Sequence, residues 1–299
     1  TLLDEQGMGD YLARRFQLNG RMPRWDTWRR TLEDSLHSEG EVNIAICGKY
    51  AGLADSYVSV NEALKHAGAA SNTHVTLEWI ETDGFEKETE KLNVLSRFDG
   101  ILVPGGFGSR GAEGKIKAIQ YARSHDLPFL GICFGFQLAV VEYARHVGIQ
   151  DATSSEFDSE AKNRVIDLMP EQNNVSTKGG TMRLGAHEIM VKDKTMAYDL
   201  YGRGKAWERH RHRYEVNPKH IAEFEAKGLV FSGSSDNNRR MEILELPINR
   251  FHLATQYHAE FKSRLGRPSP PYFGFVKAAL KAKPRTLQSK HIISKIGAS

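Results

Sequence analysis

The chain has 299 residues, enough for one large domain with appendages or two modest ones, since single domains usually run to roughly 100–200 residues. Apolar residues at 40% and charged residues at 26% permit a sizeable core, and a net charge of +4, with 41 basic and 37 acidic residues spread along the chain, makes no electrostatic case for a nucleic acid or membrane partner. Two cysteines, Cys47 and Cys133, cannot form a disulfide framework, and there is no signal peptide and no apolar run near about 18 residues, so a reducing, cytoplasmic setting is expected.

The opening "TLLDEQGMGDYLARRFQL" has no initiator methionine and reads as the end of a preceding unit. Trp28, Leu32 and Leu36 share a helical face that Gly40 closes, so residues 1–40 are expected to be a helical lead-in. Strands are predicted at 42–50, 74–80, 100–105 and 127–133. Helices are expected between them: one carries Val60, Leu64 and Ala67 and stops at Gly68, and another spans about 115–124. After the fourth strand comes a helix carrying Val140, Val141, Ala144 and Val147. Continuous apolar strands alternating with helices predict an α/β fold, a mostly parallel central sheet flanked by helices. From about residue 178 the texture becomes strand-like: "TMRLGAHEIMV", "KAWERHRHRYEV", "LVFSGSS", "MEILELP" and "HLATQYH". These segments are expected to extend the sheet or add an antiparallel layer. Residues 41–283 then form the main domain and 284–299 a solvated basic tail.

The stretch "ILVPGGFGSRGAEGKIKAI", residues 101–119, admits three readings. As a dinucleotide fingerprint, Gly106-x-Gly108-x-x-Gly111, it lacks an acidic residue at the end of the following strand, "PFLGIC". As a P-loop it has Ser109 where the first glycine should stand, and Ile116 rather than serine or threonine after Lys115. The third reading has these glycines present backbone N–H groups to an oxyanion.

Gly131-Ile132-Cys133-Phe134-Gly135 has the spacing of a nucleophile elbow, with cysteine in place of serine. A nucleophile on a tight strand-to-helix turn requires small neighbours two residues away on either side, and a helix N-terminus favours the thiolate. Cys47 lacks the preceding glycine and reads as core. A cysteine nucleophile needs a base, and the base an orienting acceptor. In "ATQYHAEF", His258 and Glu260 are two residues apart and so lie on one side of an extended segment. His210 and His212 have strand spacing that could suit a metal, yet no ligand set completes them. They are expected to face one way, and Arg209, Arg211 and Arg213 the other.

Taken together, "VPGGFGSRGAEGKI", "LGICFGFQLAVVEYARHV", "SSEFD", "GGTMRLGA", "ERHRHRYEVNP", "MEILELP", "YHAEF" and "PSPPYFGF" resemble the triad-type (class I) glutamine amidotransferase domain of CTP synthases. The "MPEQNNVSTKGG" and "RPSPPYFG" segments are more similar to eukaryotic members. The resemblance implies a flavodoxin-like fold in which Cys133, His258 and Glu260 hydrolyse L-glutamine through a thioester. By the same resemblance Gly106 and Phe134 supply the oxyanion hole, while Gly105, Gln137, Glu156 and Arg213 hold the substrate. No metal or cofactor is expected in this chain. ATP and Mg²⁺ would belong to an upstream synthetase domain of the same polypeptide that converts UTP to CTP, GTP would act as an allosteric activator, and the full-length enzyme would be a homotetramer. Two departures from the family pattern carry expectations of their own. Ala259 replaces the usual proline between base and orienter, which is expected to loosen their geometry. The region between Pro170 and Gly179 is short and lacks an arginine that bacterial members place near their GTP-responsive site. A γ-glutamyl peptide hydrolase and a catalytically silent regulatory module are the competing readings.

Overall fold

The computed structural model describes residues 2–18, 28–30, 32–33, 37–49, 57–169 and 182–282. Leu36, the segment between Pro170 and Gly179 and the basic tail lie outside the described residues. Helices α1 (Leu2–Glu5) and α2 (Met8–Arg15) begin the chain, and no residue of α2 is buried. The first half then alternates as expected: β1 (Gly40–Gly48), α3 (Val58–Ala70), β2 (Thr73–Glu81), α4 (Asp83–Lys87), a 3₁₀ segment (Thr89–Arg97), β3 (Gly100–Val103), α5 (Ala112–Ser124), β4 (Phe129–Ile132) and α6 (Phe134–His146). Gly68 does not end α3. It lies inside the helix because a Cβ there would meet Thr73 O at 2.6 Å, so its lack of a side chain serves the packing of α3 on β2.

The second half contains β5 (Thr153–Ser154), β6 (Arg164–Leu168), β7 (Arg183–Val191), α7 (Met196–Tyr201), β8 (Lys205–His212), β9 (Tyr214–Val216) and α8 (Ile221–Ala226). It ends with β10 (Val230–Ser235), β11 (Arg240–Glu245), β12 (His252–Thr255), a 3₁₀ turn (Ala259–Lys262) and α9 (Pro270–Ala282). One nine-stranded sheet runs β2-β1-β3-β4-β12-β11-β10-β7-β8, and β5-β6-β9 form a separate small sheet. The pairings from β2 through β12 are parallel, and those from β12 to β8 are antiparallel. Of the two outcomes expected of the strand-like second half, the first holds: its antiparallel strands continue the one large sheet. Its β12 joins the parallel half beside β4, a pairing between residues more than a hundred positions apart that local periodicity does not reveal.

Side-chain alternation along the parallel strands divides the core in two. Ala45, Cys47, Ile101, Val103 and Phe129 face the layer of α5 and α6, whereas Ile44, Ile46, Leu102, Leu130 and Ile132 face the layer of α3 and α9. Covering both faces makes these strands continuously apolar. Cys47 is fully buried in this core, where burial pushes its thiol up to about 12. The chain thus raises Cys133 to the carboxyl end of β4, between β3 and β12. Ligand sites of open parallel sheets form at such strand ends. Among the described residues no helix is long and apolar enough to cross a membrane.

Candidate active site

The elbow is built by close approach. Cys133 caps α6 with φ 50° and ψ −93°, a conformation that L residues rarely adopt and that tends to persist at functional sites. Its N–H donates to Thr255 O at 2.7 Å, which ties the elbow to β12. A Cβ on Gly131 would lie 2.9 Å from the Gly135 backbone, and one on Gly135 would lie 2.2 Å from Val103 O. Both glycines are there because three backbone segments meet at the turn.

His258 follows β12, held in place by its N–H donating to Arg209 O at 2.8 Å. Its Nδ1 is 2.7 Å from Glu260 Oε1, the ring stacks on Phe261 with centroids 5.1 Å apart, and the imidazole is electrostatically coupled to the Cys133 sulfur. Burial works against a charged imidazole, but the Cys133 sulfur and Glu260 outweigh it, and His258 is pushed up to about 11. The imidazole therefore carries its proton across the neutral range. Ala259 does not loosen this pair. It is fully buried and opens the 3₁₀ turn in which Phe261 N donates to His258 O and Ser263 N to Glu260 O, so the turn fixes what proline would otherwise fix.

Gly105 and Gly106 divide the adjacent loop. A methyl on Gly105 would sit 2.8 Å from His258 Cε1 and 3.7 Å from Cys133 Cβ, whereas one on Gly106 would sit 3.5 Å from the Phe134 ring. Phe134 is the first residue of α6, so its N–H precedes the helical hydrogen-bond ladder. The P-loop reading fails on packing as well as on spelling. A Cβ on Gly114 would lie 1.9 Å from Thr82 O, so this glycine lets α5 rest on the end of β2, and Lys115 is buried.

The residues expected to hold the substrate's far end divide by surroundings. Glu156 Oε1 accepts from Gly108 N at 2.7 Å, and burial raises its carboxyl above the ordinary value against that bond and Lys49. Arg213 lies at the break between β8 and β9, and the Tyr214 hydroxyl feels both Glu156 and Arg213. Gln137 is buried, and its Nε2 donates to Tyr214 O at 3.0 Å and to Gln256 Oε1 at 3.3 Å. Sequence reasoning missed Gln256, whose Nε2 is 3.8 Å from Cys133 Sγ, and the Arg211 carbonyl oxygen, 3.7 Å from the same sulfur. Gln256 stands two residues before His258, and the alternation used for Glu260 would have found it. His210 and His212 face inward while Arg209 and Arg211 are exposed, as the charged strand predicts. His210 Nε2 meets Glu242 Oε2 at 2.9 Å, and Glu242 also accepts from Arg183 at 2.6 Å. Among the described residues no cluster of three or more histidine, cysteine or acidic side chains has the geometry to hold a metal.

Residues 52–278 match the family model described as glutamine amidotransferase class-I. The CTP synthase of Pyrococcus abyssi is 52% identical over 284 residues, covering 94% of this chain and 52% of that protein. That of Thermococcus kodakarensis is also 52% identical over 284 residues, covering 94% of this chain and 53% of that protein. The chain thus spans about half the length of the curated relatives it matches. A solved structure of the Trypanosoma brucei CTP synthase glutaminase domain with bound acivicin matches with a TM-score of 0.76 at 36% identity, covering 83% of this chain and 97% of that one. With half of the longer relatives matched, and nearly the whole of a separately solved glutaminase domain, the chain belongs to the class-I glutamine amidotransferase family and is homologous to the glutaminase domain of CTP synthase.

Proposed function

We propose that this chain hydrolyses L-glutamine at Cys133 and passes the ammonia to a synthetase domain that converts UTP to CTP. The observation that carries the reading is the position of the His258 imidazole, electrostatically coupled to the Cys133 sulfur and hydrogen-bonded to Glu260. Sγ attacks the side-chain amide carbon, a C–S bond forms, and the carbonyl π pair moves onto oxygen. That oxyanion accepts hydrogen bonds from the Gly106 and Phe134 N–H groups. The imidazolium gives its proton to the amide nitrogen, the C–N bond breaks and ammonia leaves. The same ring nitrogen then takes a proton from water, whose oxygen attacks the thioester carbonyl; the C–S bond breaks, glutamate departs, and the sulfur is left as thiolate beside the imidazolium. Glu260 acts through His258, holding Nδ1 so that the other nitrogen faces the sulfur. Glu156 takes the α-ammonium and Arg213 the α-carboxylate of the substrate, with Gln137 and Gly105 as walls of the pocket.

The remainder of the reading rests on kinship with full-length CTP synthases. ATP and Mg²⁺ serve the synthetase domain, GTP regulates, the full-length enzyme assembles as a homotetramer, and the setting is cytoplasmic. A glutamine-analogue electrophile such as acivicin tests the site, with labelled peptides read by mass spectrometry. The expected adduct is on Cys133, with Cys47 spared because it is sealed in the core with its thiol pushed up to about 12. An adduct mainly on Cys47 overturns the assignment.

A further inference from the structure

Lys115 is a buried cation that the chemistry above does not use. It lies in the first turns of α5 and is only 3% exposed, and among the described residues its ammonium forms no ion pair. Burying an ammonium without a paired carboxylate is costly, so its persistence asks for a reason. The ammonium stands over the Phe134 ring, 5.6 Å from the centroid, within cation–π range. That ring is 1% exposed and is itself a shared wall: a Cβ on Gly106 would lie 3.5 Å from it, and it meets Phe157 edge-on at 6.0 Å. Lys115, Phe134 and Gly106 thus form a stack from the start of α5 to the loop beside the nucleophile.

We propose that Lys115 is a positioning residue for the oxyanion-binding backbone: its ammonium pins the Phe134 ring, which fixes the Phe134 N–H against the Gly105–Gly106 loop, and it places a positive charge behind the site where the oxyanion develops. This role rests on the glutaminase reading.

The surroundings make the device sensitive to pH. Burial disfavours the ammonium, the Lys49 cation beyond β1 acts in the same direction, and Asp83 and Glu86 on α4 oppose them, leaving Lys115 at about 8; the Cys47 thiol nearby stays protonated in this range. Mildly alkaline solution therefore removes the charge, and turnover falls as pH rises through this value. His258, at about 11, does not lose its proton in that window.

The test is kcat and KM for glutamine between about pH 6.5 and 9.5 in the intact chain and in Lys115→Met, Lys115→Arg and Phe134→Leu. The wild type should show an alkaline fall centred near 8. Lys115→Met should lower kcat roughly 5- to 50-fold with KM nearly unchanged, and should abolish that limb. Lys115→Arg should carry activity past pH 9, since a guanidinium keeps its proton. Phe134→Leu keeps the N–H and should move the limb to lower pH, because the cation loses its ring; it preserves the test if Lys115→Met fails to fold. A limb unmoved in these variants, or a loss confined to KM, overturns the proposal. Urea midpoints of the two single variants and the double variant read the Lys115–Phe134 coupling without any substrate, and additive effects overturn the pairing. Non-additive midpoints in a chain that never turns over glutamine would sink the glutaminase reading and the catalytic role with it, while leaving the pairing itself observed.

Discussion

A methyl group on Gly131 would lie 2.9 Å from the backbone of Gly135, and one on Gly135 would lie 2.2 Å from the carbonyl oxygen of Val103. The two glycines are thus one packing feature, the closest approach between the turn that carries Cys133 and the strands beside it. Gly135→Ala cannot be absorbed by moving a flexible side chain, because the obstacle is backbone. The expected result is loss of glutaminase activity and a stability cost at or above the about 1–3 kcal/mol usual for overpacking. Gly204→Ala is the control, since its nearest neighbours are 3.7 and 3.9 Å away. Thermal melting of the two variants decides the point, and equal melting would mean that the elbow has room to spare.

The elbow was legible in the sequence because its demand for small residues is local and falls within five positions. Pairing His258 with Glu260 was legible for the same reason. Gln256 and the Arg211 carbonyl were not found, although they flank the sulfur, because one looks like an ordinary strand residue and the other is backbone that β8 brings across the sheet. The parallel pairing of β12 with β4 also escaped local reading, since only the closed sheet brings residues 252–255 beside 129–132. Lys115 was visible only as a failed P-loop lysine; its burial against Phe134 depends on how α5 packs against β3 and α6.

His258→Ala should reduce turnover by at least about 100-fold, the usual minimum for removing a positioned acid–base group. Glu260→Gln should leave a residual rate, because Glu260 acts on the ring and not on the substrate. Steady-state kinetics separate the two, and a wild-type rate in His258→Ala would exclude the triad.

Ala259→Pro should fold and should leave kcat within about twofold of the wild type. His258 has φ −91° and ψ 85°, outside the helical region that a following proline disfavours, and Ala259 is the first residue of the 3₁₀ turn, where proline is tolerated. The 2.7 Å bond between His258 and Glu260 already exists without it. A large rise in kcat would show that alanine had left the pair loose after all.

Glu208 gives a stability prediction with a definite sign. It is 3% exposed on β8, accepts from the Tyr201 hydroxyl at 3.2 Å and has Lys262 Nζ at 3.7 Å, while Tyr201 and Tyr257 share a 2.8 Å bond beside it. Burial raises its carboxyl from 4.5 to about 7, against the opposing pull of Lys262. A folded value above the unfolded one means that the stabilising contribution is complete below about 4.5 and is lost as pH rises through about 7. Glu208→Gln mimics the neutral form at every pH and keeps a partner for Tyr201. The variant should therefore lie within about 1 kcal/mol of the wild type near pH 5 and become the more stable protein toward pH 8, by about 3 kcal/mol. Urea unfolding of both proteins at pH 5, 6.5 and 8 measures the gap. A gap that stays constant, or that closes as pH rises, would show that Lys262 holds Glu208 ionised throughout the range.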